Sequence, residues 1–124
     1  MVLTNQQIID LSEGLASLRN SKLKELPISV CYTLIKDIKL LEPLYESAMS
    51  MVKTIGLKYG ELKTDGNIVI ENEENRIKAQ RELDELSKIE NHVDLETVNL
   101  SQIGNYFCSL DDMFRIYPLI NGEA

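Results

Sequence analysis

This chain has no tryptophan, one histidine, two cysteines, three prolines and two phenylalanines among its 124 residues. Each shortage closes a route. With His92 alone, and no His-x-x-x-His or paired-cysteine spacing, a zinc site would have to be assembled from carboxylates on distant segments. Cys31 and Cys108 lie far apart among apolar neighbours, the setting of two reduced, buried thiols rather than of a disulfide or a base-assisted nucleophile. There is no Gly-x-Ser-x-Gly, no P-loop and no Gly-x-Gly-x-x-Gly. No apolar run approaches the roughly 20 residues of a membrane-spanning helix, so no membrane partner is expected. The opening MVLTNQQIIDLSEG lacks the basic and apolar regions of a secretory signal, which leads to the expectation of a cytoplasmic protein. Positive charge is also in short supply. Thirteen bases against 20 acids give a net charge of −7, which argues against general binding to nucleic-acid backbones.

What is present suits one globular unit. A hydrophobic content of 44% is enough to bury one core without metal or disulfide support, and residues 1–124 are expected to form a single, mainly helical domain. Thr4 and Gln7 have the spacing of a capping box, and Ile8, Leu11, Leu15 and Leu18 then repeat at threes and fours, predicting a first helix. After Pro27, the residues Cys31, Leu34, Ile38, Leu41, Tyr45, Ala48, Val52, Ile55 and Tyr59 make an unbroken heptad seam, the mark of a long helix packed lengthwise. Ile35, Leu40, Leu44, Met49 and Met51 widen its apolar surface, which predicts more than one helical neighbour. Because the seam keeps phase across Pro43, a kinked helix is favoured there over two separate ones. Gly60 reads as the helix stop.

Residues 62–70 then read as two short strands about Asp65-Gly66, and Glu73 to about Glu90 as a returning helix with Ile77, Ala79, Leu83, Leu86 and Ile89 on its apolar side. Residues 93–100 alternate like a strand with a phase slip, and a last helix is predicted from about Ser101 to Ile116, ended by Pro118. The fold class that follows is mainly α: a long kinked helix in an antiparallel helical hairpin, with further helices and a small β-hairpin or ribbon. The long seam also suggests a homo-oligomer.

Chemistry-bearing patterns are few. An EF-hand register on Gly66 puts Glu61 first, Lys63 third, Asp65 fifth and Asn72 last; a cation at the third place and an amide at the last exclude calcium binding of that kind. Adjacent acids such as Glu73-Glu74 and Asp111-Asp112 fit helix starts better than acid–base catalysis. The sharpest ligand-binding constellation is Tyr32 with Lys36 and Lys39 on one helix face, to which Tyr106 could add a stacking ring and Arg115 a phosphate-binding cation. No metal, cofactor or catalytic residue is expected.

From "LPISVCYTLIKDIKLLEPLYESAMSMVKTIGLKYG" through "KTDGNIVIENEENRIKAQRELDELSKIENHVDLETVNLSQI" the chain resembles a loosely defined group of small phage and prophage proteins of Gram-positive bacteria. That group has a long helix after a Leu-Pro start, a Tyr-Gly stop, an Asp-Gly-Asn turn and an acidic returning helix. It has a short first strand where this chain shows a capped helix at Thr4. The resemblance implies a non-catalytic, phage-encoded binding protein. One form would be a host-defence antagonist that sequesters a small anionic nucleotide signal or blocks a host defence protein. The alternative is a particle-assembly or tail-chaperone protein working through protein contacts.

Overall fold

The structure, a computed structural model, describes residues 1–21, 25–103 and 110–121. It opens with a strand β1 (Val2–Thr4) that runs directly into helix α1 (Asn5–Ser21). The capping box forms as its spacing predicts: the Thr4 N–H donates to Gln7 Oε1 at 2.8 Å and the Gln7 N–H to Thr4 Oγ1 at 3.2 Å. Ile8, Leu11, Leu15 and Leu18 are all buried and carry the core side of α1. A short first strand and the capped helix are thus both present, β1 running straight into α1. Three residues are too few to show a period, so the pattern at Thr4 reported only the helix.

Helix α2 (Ile28–Tyr59) is continuous over 32 residues with Pro43 inside it, which removes the two-helix alternative. Pro43 is exposed, so its ring interrupts the backbone ladder on the side of α2 away from the core. The heptad seam is buried or half-buried throughout, but the deepest stripe is Val30, Leu34, Asp37, Leu41 and Ala48. Two helical neighbours share α2. Helix α1 covers its first half, and α3 (Glu73–Ser87) packs on its second half, where Lys58 reaches Glu82 at 2.9 Å. The residues expected to widen the contact do not serve it: Ile35, Leu40, Met49 and Met51 are exposed and only Leu44 packs on the core.

Between α2 and α3 the chain makes the expected ribbon, β2 (Glu61–Leu62) antiparallel to β3 (Ile68–Val69). The Gly66 N–H donates to the Lys63 carbonyl and the Lys63 N–H to the Asn67 carbonyl, closing a three-residue loop with Gly66 at φ +88°. Strand β3 thus pairs within the chain, with β2 and not with residues 93–100. Gly60 has a different reason from the one its position suggested. Its backbone is extended, not left-handed, and an added Cβ would lie 2.6 Å from the Val69 carbonyl oxygen and 2.8 Å from Ile70 Cγ1. Ile68 packs in the same way over Gly56, one turn earlier. Gly56 in the last turn of α2 and Gly60 just past its end therefore seat the ribbon.

Helix α3 starts where predicted, with Asn72 Oδ1 accepting from the Asn75 N–H, but ends at Ser87 instead of about Glu90. Ala79 is buried and Leu83 and Leu86 are half-buried, whereas Ile77 and Ile89 are exposed. Strand β4 (Glu90–His92) follows and pairs antiparallel with β1, Leu3 opposite Asn91. Asn5 locks this junction: its N–H donates to the Ile89 carbonyl, its Nδ2 to the Leu86 carbonyl, and its Oδ1 accepts from Asn91 Nδ2 at 2.8 Å.

Residues 93–97 are not a strand, although Val93 and Leu95 do point inward as their alternation required. A further strand, β5 (Val98–Asn99), pairs in parallel with β6 (Ile120–Asn121). Between them come α4 (Leu100–Ile103), α5 (Leu110–Arg115) and a 3-10 turn over Tyr117–Leu119 that contains Pro118. The middle of the single helix predicted over 101–116 lies outside the described residues, as does Cys108. One contiguous core joins α1, the first half of α2 and the C-terminal segments through Ile103, Ile116 and Leu119.

Candidate functional site

Two neighbouring places on α2 carry the features of a site. The first is the constellation the sequence singled out. Tyr32 is 64% exposed, and Lys36, one turn on, holds its Nζ 5.0 Å from the Tyr32 ring centroid. Lys36 is engaged a second time, donating to Glu96 Oε1 at 2.7 Å, and that hydrogen bond is the main reason its pKa is raised. Lys39 is exposed on the same helix. Arg115 ends α5, its side chain outside the described set, and Tyr106 lies outside the described residues altogether. The structure thus brings Tyr32 and Lys36 together and adds an acid, Glu96, that the spacing along the helix could not reveal.

Asp37 is the residue the sequence reading missed. It is fully buried; Oδ1 accepts from the Glu96 backbone N–H at 2.9 Å, while Oδ2 has no hydrogen-bond partner. Burial pushes its pKa up to about 6, and the Glu96 N–H only partly opposes this. A signal was available: Asp37 is three residues after Leu34 and four before Leu41, an acid at an apolar position of the buried stripe. The contact fixes residues 93–97 against α2 and so positions Glu96 for Lys36.

The second place is a groove of about 410 Å³ between α1 and α2, within the usual range of roughly 300–1,000 Å³ for ligand-sized sites. Its floor is apolar, with buried Leu15 and Leu41 between half-buried Ile38 and Tyr45. Exposed Glu13, Arg19 and Glu42 stand at the rim, and among the described residues none of the three forms an ion pair. Ser12 also lines it, with its Oγ buried and without a hydrogen-bond partner. Such a groove can accept an apolar group with polar contacts around it. It holds neither histidine nor cysteine to act as base or nucleophile.

The acids of the ribbon are occupied by the chain itself. Lys63 lies 3.4 Å from Glu61 and 3.5 Å from Glu71, and Asp65 accepts from the Asn67 N–H. Among the described residues no group of three or more His, Cys, Asp or Glu is placed to hold a metal ion, and no helix is long and apolar enough to cross a membrane. Comparison with protein-family models, curated protein sequences and solved structures finds no match to this chain.

Proposed function

We propose that this chain is a non-catalytic binding protein of the phage type, working in the host cytoplasm through protein–protein contacts, as particle-assembly proteins and tail chaperones do. One observation carries the reading. Ile28, Tyr32 and Ile35, spaced four and three apart on the side of α2 that faces away from the core, are 88%, 64% and 40% exposed. Three large apolar side chains in a row on one helix face are a costly arrangement for a free surface and a useful one for a contact. The partner is a second copy of the chain or another protein.

The test is recovery of bound protein from cross-linked cells by wild type, by Ile28→Lys/Ile35→Lys and by Ile77→Lys, which changes an exposed isoleucine on α3 instead. The expected result is loss of the bound protein in the double variant alone. Equal recovery by all three would sink the reading.

One contact favours a second reading, capture of a small anionic nucleotide. The stacked Lys36 and exposed Tyr32 offer a cation and an aromatic face together, although a phosphate would have to displace Glu96. A rise in melting temperature with a cyclic dinucleotide or an ADP-ribose derivative, absent in Lys36→Met, would support it.

A further inference from the structure

The exposed row and the groove are continuous. From Ile35 the helix steps three residues to Ile38, four to Glu42 and three to Tyr45, so the row turns toward α1 and runs into the groove these residues line. From Ile28 to Tyr45 the track is roughly 26 Å long, four to five turns of a helix laid beside it. Its two parts differ. The outer part is an exposed apolar strip, and the inner part is a recess with an apolar floor.

We infer that this track seats a basic amphipathic helix of a partner protein, with one large apolar side chain anchored in the groove between α1 and α2. The inference rests on the protein-contact reading above and names the kind of partner. Charge selects the sign. Glu13 and Glu42 rim the groove without ion pairs among the described residues, and Glu46 is exposed one turn further. Among the described residues the nearby cations are Arg19 and Lys39, with Lys36 already held by Glu96. Lysines flanking the anchor would meet Glu13 and Glu42, while the anchor covers Leu15, Leu41 and the ring of Tyr45. A polar group near the anchor would give the buried Ser12 hydroxyl its missing partner. This is the helix-in-groove mode, in which a few anchors set affinity and rim charges set preference and rate.

The probe is a fluorescein-labelled peptide of about 18 residues with leucine at helical spacing and lysine elsewhere, compared with its glutamate counterpart by anisotropy. The full chain should bind the lysine peptide saturably and the glutamate peptide at least about tenfold more weakly. Ala16 is exposed and lines the groove, so Ala16→Trp fills it and should weaken the lysine peptide about tenfold or more. Glu13→Lys/Glu42→Lys should reverse the preference, and as both positions are exposed this variant keeps the test open if Ala16→Trp does not fold. Circular dichroism checks folding.

Binding that Ile28→Lys/Ile35→Lys abolishes and the groove variants leave unchanged overturns the groove assignment while the protein-contact reading stands. Binding unchanged in every variant overturns both; no binding at all overturns the basic partner and leaves the protein-contact reading to the cross-linking test above. Concentration-dependent dimers in sedimentation that Ala16→Trp dissolves would make the occupant a second copy and refute the basic partner.

Discussion

Asp37 offers the sharpest quantitative consequence of this packing. Its carboxyl has no exposed surface, one oxygen is hydrogen-bonded to the Glu96 N–H and the other has no partner. With a pKa of about 6 against an ordinary value of 3.8, the folded protein keeps a proton on Asp37 over a range in which the unfolded chain has released it. The folded state binds more protons there, so this group's contribution to stability is greatest in acid and declines as pH rises through that window. That displacement corresponds to a cost of about 3 kcal/mol once the group is ionised, above about pH 7.

Asp37→Asn keeps the acceptor for the Glu96 N–H and removes the ionisation, but adds a buried amide donor that costs about 1–3 kcal/mol. Its absolute stability is thus the less telling quantity. The difference between variant and wild type should move by about 2 kcal/mol in favour of the variant between about pH 4.5 and pH 7.5. Asp37→Ala removes the acceptor as well and should be destabilised by about 1–3 kcal/mol relative to Asp37→Asn at every pH. Because the chain has no tryptophan, urea titrations are best followed by circular dichroism. A difference that stays flat across the pH range would refute the reasoning, since it would mean that the folded protein carries Asp37 in the same ionisation state as the unfolded chain.

Three further substitutions probe how the ribbon and the β1 junction are held. Gly60→Ala places a Cβ against the Val69 carbonyl oxygen and Ile70, so urea denaturation should show a loss of about 1–3 kcal/mol; Gly66→Ala meets no atom but must hold φ +88° and should lose about 1 kcal/mol. If Gly66→Ala proves the costlier of the two, the close approach at Gly60 is not what selects that glycine. Asn5→Ala removes the side chain that ties β1, α3 and β4 together and should cost about 2–3 kcal/mol, with faster amide exchange at residues 89–93. Unchanged exchange at those amides would contradict the role given to Asn5.

Much of the fold was legible because it rests on periods and on local chemistry. The stripe of α1, the Thr4/Gln7 capping box, the length of α2 and the turn at Gly66 all follow from spacing. What was missed depends on distant partners. β1 becomes a strand only because Glu90–His92 returns to pair with it, and Asn5 gains its meaning from carbonyls more than 80 residues away. The predicted seam of α2 shares Leu34, Leu41, Ala48 and Ile55 with its buried stripe but leaves out Asp37, because apolarity alone steps around an acid. Ile35, Ile77 and Ile89 look like core residues in sequence, yet the neighbours pack against other faces. At the candidate site the pairing of Tyr32 with Lys36 was readable from an i,i+4 spacing, while Glu96, 60 residues away, was not. The groove was not readable either, since it exists only where two helices meet.

The claim that α2 turns an apolar contact surface outward is tested most directly by photo-crosslinking from that surface in living cells. A benzophenone amino acid placed at Tyr32, and in a parallel sample at exposed Gln80 on α3, reports which face touches protein. The account predicts a discrete protein adduct from position 32 and none from position 80. An adduct from position 80 with none from position 32 would contradict it.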